Sequence, residues 1–110
     1  MKQFLIGFAL LFILAPVAHA EAKGHCGEMA KEAQEAVDHG KAGHTNALVE
    51  HAEAMIKHGK ECEKESAAKD HVKEALKHEE EAVEHGKQGH LDVALHHAEG
   101  ALEHAKEAVK

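Results

Sequence analysis

Aromatic and proline residues are almost missing from this chain, and each absence closes off a class of function. Tryptophan and tyrosine do not occur, and the phenylalanines are Phe4, Phe8 and Phe12, all near the start. A surface that grips nucleic acid needs basic charge and stacking rings, whereas the formal net charge here is −7. Nucleic acid is therefore excluded as a partner. Long apolar runs are scarce too: there is one, Phe4–Ala18, and the sole proline, Pro16, breaks it near its end. The run is shorter than the ~20 residues a membrane-spanning helix needs. Met1-Lys2-Gln3 precedes it with a positive charge, and Ala18-His19-Ala20 ends it with small residues where a signal peptidase reads. Residues 1–20 thus read as a secretory signal peptide cleaved after Ala20. The expected address is the periplasm or the exterior, with no membrane association after cleavage. What remains, residues 21–110, allows one small domain with a thin core, expected as a monomer.

Catalytic and cofactor motifs are missing as well. No Ser/His/Asp arrangement can be placed, so no enzymatic activity is expected. No Cys-x-x-Cys-His segment exists to attach haem, and no histidine has a glutamate three residues before it, the step a ferritin-like di-iron centre uses. Cysteine is limited to Cys26, opening the first predicted helix, and Cys62, closing the second. In an exported chain the pair favours a disulfide, contributing on the order of 3–4 kcal/mol. The rival reading is a pair of thiolate ligands for copper(I).

Histidine is what the chain has in abundance: 13 residues, of which all but His19 follow the signal. They are organised around a short element that occurs twice, His39-Gly40-Lys41-Ala42-Gly43-His44 and His85-Gly86-Lys87-Gln88-Gly89-His90. Each copy reads as the turn of a helical hairpin, the first glycine ending a helix in a left-handed conformation and the second freeing the chain to re-enter one. From these turns histidines recur at seven-residue steps: His44, His51, His58; His71, His78, His85; and His90, His97, His104. A shift of 46 residues superposes His25, His39, His44, His51 and His58 on His71, His85, His90, His97 and His104, leaving His78 and His96 as extras.

Apolar spacing predicts helices at about 27–39, 45–64, 68–85 and 91–109, with Thr45 capping the second and Asp70 favouring the start of the third. The expected seam comprises Ala30, Ala33 and Val37; Val49, Ala52, Met55 and Ile56; Val72, Leu76 and Val83; and Leu95, Ala98, Leu102, Ala105 and Val109. Gly59 and Gly100 lie inside helices and should weaken them. The fold class is all-α: an antiparallel up-down-up-down four-helix bundle built from two tandem helical hairpins, with repeats at 25–61 and 71–107. Glu79 stands out, because it occupies a seam position that Ala33 fills in the first repeat.

If the apolar residues are heptad positions a and d, the stripe histidines fall on c, beside the seam and open to solvent. Seven residues rise about 10.5 Å, so successive stripe histidines on one helix cannot grip one ion. Three constellations are workable. The turn clamps pair His39 with His44 and His85 with His90. A ladder on helix 3 runs His71, Glu74, His78, Glu81, His85. A softer ladder on helix 2, His51, Met55, His58, Cys62, exists only if Cys62 is free, and Met55 is read first as a core filler. The candidate metal set is His25, His39, His44, His51, His58, His71, His78, His85, His90, His96, His97, His104, Glu74 and Glu81. Imidazole with carboxylate suits copper(II), nickel, zinc and iron, copper(II) first by the Irving–Williams order.

The segment Glu35–Thr45, its echo at Glu81–His90 and the histidine heptads resemble the small periplasmic metal-binding proteins. That resemblance implies an exported four-helix bundle that binds several copper ions and, less selectively, other divalent metals, in scavenging or tolerance. The alternative function is a metal-independent structural or interaction bundle whose histidines, ordinarily titrating near pH ~6.5, make it pH-responsive.

Overall fold

The computed structural model describes residues 24–110; the expected signal peptide, its cleavage point and residues 21–23 lie outside the described residues. Four helices follow one another: α1 (Gly24–Lys41), α2 (Thr45–Glu65), α3 (Lys69–Lys87) and α4 (Leu91–Ala108). Each packs against its neighbour in sequence, and α1 also packs against α4, so the chain closes into an up-down-up-down bundle. Among the described residues no helix is long and apolar enough to cross a membrane.

The turns differ in detail from expectation. Gly40 and Gly86 remain helical, and it is Gly43 and Gly89 that adopt positive φ, +86° and +82°. The left-handed residue sits after the helix end, where a side chain would be strained. In each turn a backbone N–H reaches back to close the helix, His44 to the His39 carbonyl and His90 to the His85 carbonyl, both at 2.9 Å. That is the long bond of a Schellman closure, and it ties together the two histidines that flank the turn. Thr45 does not cap α2; the cap positions of α2 and α4 are His44 and His90, neither with a side-chain cap bond.

Small residues fill the core. Met29, Ala33, Ala36, Val37, Leu48, Ala52, Met55, Val72, Ala75, Leu76, Ala82, Ala94, Ala98, Ala101, Leu102 and Ala105 are buried. Of the expected seam, Ala30, Val49, Ile56, Val83 and Leu95 are only partly buried, and Val109, 44% exposed, lies outside it. Alanine-rich faces let the helices approach closely, and glycines extend the effect. A Cβ on Gly59 would meet Leu76 Cδ2 at 2.6 Å, and one on Gly86 would meet Val49 Cγ2 at 2.5 Å. Gly59 is thus a socket for a neighbour's side chain as well as a weak helix residue.

Cys26 and Cys62 are joined in a disulfide that fastens the first turn of α1 to the last turn of α2. The bridge disposes of the copper(I) thiolate reading and of Cys62 as a ligand in a helix-2 ladder. Met55, the other soft member of that ladder, is fully buried and packs as core.

Candidate metal centre

Folding each hairpin about its turn brings the heptad histidines face to face. In hairpin 1 (α1–α2) the pairs are symmetric about the bond between Lys41 and Ala42. His25 Nδ1 stands 3.0 Å from His58 Nδ1, and His39 Nδ1 stands 3.5 Å from His44 Nδ1. Between these rungs His51 Nδ1 donates to Glu32 Oε1 at 2.8 Å. In hairpin 2 (α3–α4), symmetric about Lys87–Gln88, all three rungs are histidine pairs. His71 and His104 are 3.1 Å apart at Nδ1, His78 and His97 3.4 Å, and His85 and His90 3.5 Å.

These separations carry chemical meaning. Two imidazole nitrogens bound to one ion at ~2.0–2.1 Å stand about 2.8–3.4 Å apart for square or tetrahedral angles. Every histidine rung holds its nitrogens at or close to that span before any ion arrives. Rungs also touch along the row. His78 stacks on His104 at 5.8 Å and His85 on His97 at 5.7 Å. In hairpin 1, His39 stacks on His51 at 5.1 Å. Hairpin 2 therefore carries an unbroken file of six imidazoles, whereas the file in hairpin 1 is interrupted by Glu32.

Carboxylates join the histidines in two clusters that could hold an ion. Glu74, His78 and His104 offer donor atoms that all lie within 4.8 Å of one another, and so do His78, Glu81 and His97. Both clusters draw on α3 and α4 together. The expected single-helix ladder on α3 is thereby divided: Glu74 and Glu81 do stand beside His78, but the remaining ligands come from across the groove. His71 and His85 face His104 and His90. Hairpin 1 has a different chemistry at its middle rung. A carboxylate that accepts from one imidazole nitrogen orients the ring and leaves the other nitrogen for a metal, and Glu32 does this for His51. His96 is exposed, its ring edge 6.0 Å from His97, outside either three-donor cluster.

The turn clamps were legible from the sequence, but the rungs His25–His58, His71–His104 and His78–His97 were not read from it. Their signal was present: each pair is equidistant from the centre of its turn, and a heptad measured outward on both sides must meet itself.

Glu79, next to His78 on α3, points the other way. It is fully buried, and neither carboxylate oxygen has a hydrogen-bond partner. Burial pushes its pKa up to about 8, so it is held as the neutral acid at pH 7. It belongs to the core and not to the file of imidazoles.

No curated protein matches the chain. The model of the small metal-binding protein family matches it over residues 1–108. With histidine rungs set at ligand spacing along both hairpins, the chain belongs to the small metal-binding protein family.

Proposed function

We propose that the protein is an exported buffer or carrier for divalent transition metals, copper(II) first, that captures ions on the histidine rungs of its two hairpins. The observation that carries this reading is the Nδ1–Nδ1 spacing of 3.0–3.5 Å in five histidine pairs. At that separation an N–H of one imidazole can bond the bare nitrogen of the other in the metal-free protein, and an ion that displaces the shared proton finds both nitrogens already within ligand reach. Nitrogen-rich sites with flanking carboxylates favour copper(II), with nickel, zinc and iron(II) weaker. The rungs lie in open grooves, so ions enter from solvent and leave to it. That suits sequestration rather than turnover of a substrate, and the protein acts as a monomer without enzymatic activity. Export follows from reading residues 1–20 as a cleaved signal peptide, which leaves the bundle in the periplasm or outside the cell.

Calorimetric titration of the purified protein with copper(II) chloride tests the reading. Saturable binding of more than one ion per chain is expected. Binding should weaken steeply from neutral pH to about pH 5, because only unprotonated imidazole is a ligand. A protein that stays empty after equilibration with copper(II), nickel(II) or zinc(II) overturns it. Binding that ignores pH removes imidazole as the ligand.

A further inference from the structure

The two three-donor clusters share one residue, His78, and that residue rests against an unusual neighbour. A Cβ on Gly100 of α4 would stand 3.3 Å from His78 Cγ and Nδ1 and 3.4 Å from Cδ2. The Nδ1 atom so placed is the one 3.4 Å from His97 Nδ1. Gly100 is not among the glycines with positive φ, so its helical backbone would accept any residue but proline. Alanine is the better helix former, and the fold has no need of glycine here.

Hairpin 1 supplies the control. Glu28, Glu35, His51 and His58 occupy the positions of Glu74, Glu81, His97 and His104 under the 46-residue shift. Every ligand of both clusters except His78 is thus duplicated. In place of His78 stands Glu32, and in place of Gly100 stands Ala54. Histidine goes with glycine in one hairpin, glutamate with alanine in the other. Among the described residues the three-donor clusters are confined to hairpin 2.

We infer that Gly100 is the positioning residue for His78: by carrying no side chain it lets this imidazole stand between Glu74 and His104 on one side and Glu81 and His97 on the other, which makes hairpin 2 the tighter metal site. The inference rests on the metal-binding reading above and adds to it which residue grades the two hairpins. Carbon contacts settle at about 3.5–4.0 Å, so an alanine at 100 forces the ring aside by a few tenths of an ångström. Metal–ligand distances hold to about 0.2 Å, so that shift falls on affinity.

Copper(II) titrations, paired with thermal melts of the metal-free protein, separate this role from a structural one. Gly100→Ala should melt at the same temperature or higher, yet bind its tightest copper about tenfold more weakly, the effect of disturbing a residue that orients a ligand. Adding His78→Ala to Gly100→Ala should then cost less than His78→Ala costs alone. In hairpin 1, Glu32→His with Ala54→Gly should create a second tight site, and Glu32→His by itself should create a weaker one. Wild-type affinity in Gly100→Ala, or equal gains from Glu32→His with and without Ala54→Gly, overturns the inference while leaving metal binding intact. A wild-type protein that takes up no copper is a different result and removes the metal reading itself.

Discussion

Hairpin 1 and hairpin 2 share their turns, their heptads and their symmetry, and they differ where stability and ligation compete. Hairpin 1 carries the Cys26–Cys62 disulfide; Val72 and Ala108 take those places in hairpin 2. Hairpin 1 has Ala33 in its core where hairpin 2 buries the unpartnered Glu79. On the solvent side the balance reverses. Hairpin 2 has the unbroken file of imidazoles and both three-donor clusters, and hairpin 1 has Glu32 at the gap. On the proposed reading, one repeat serves chiefly to hold the bundle together and the other to hold ions. A duplicated unit permits this, because each copy relieves the other of one requirement.

The largest test of that division is the disulfide. Replacing both cysteines by serine should lower stability by about 3–4 kcal/mol through the entropy of the released loop, read by denaturant unfolding. The loss should fall on hairpin 1, with protection from hydrogen exchange declining first at the α1 start and α2 end. Equal loss across hairpin 2 would contradict the division.

Next comes Glu79. In the fold its pKa is pushed up to about 8, from an ordinary value of 4.5, so the acid is favoured there. The stability tied to that proton is complete below about pH 4.5 and is lost as pH rises through about 8. At pH 7 the penalty is about 3 kcal/mol at ~1.4 kcal/mol per pH unit. Glu79→Gln should therefore be more stable than wild type by roughly that amount at pH 7, and the advantage should vanish towards pH 4.5. Melting curves of the metal-free proteins at the two pH values check it.

A smaller effect separates the middle rungs. His78→Ala should weaken the tightest copper site by about tenfold or more, about 1.4 kcal/mol. Glu32→Ala should change that site little, because Glu32 serves only the His51 side of hairpin 1. The smallest effect concerns contacts the hairpins exchange. Lys41 pairs with Glu99 at 3.8 Å and Lys87 with Glu53 at 2.9 Å, the same contact made twice across the bundle. All four side chains are exposed, so Lys87→Ala should cost no more than ~0.5 kcal/mol, less in high salt.

Much of this was legible without coordinates. Four helices, two turns and their order follow from the glycine-bounded histidine elements and the apolar spacing. For Cys26 and Cys62 the sequence favoured a bridge over a pair of copper(I) thiolates, and the structure joins them. The site was legible as a set of ligands but only partly as a geometry. The clamps at His39–His44 and His85–His90 are local, closed by one backbone bond. The remaining rungs span the hairpin, and His78 draws Glu74, Glu81, His97 and His104 together only through the registration of α3 against α4. The soft ladder on α2 required a free Cys62; the bridge to Cys26 removes that condition, and Met55 is buried in the core, the reading the sequence favoured for it. Val109 was misplaced: it caps the C-terminus of α4 and is 44% exposed.

By itself the amino-acid sequence determined the helices, the duplication and which residues could ligate, because helical period and turn chemistry are local properties of the chain. Tertiary structure alone decided which imidazoles face each other, that Glu79 is sealed in as an acid, and that an absent side chain at Gly100 leaves room for His78. Those outcomes depend on how closely one helix lies against the next, a distance set by all the packed side chains together and written at no single position.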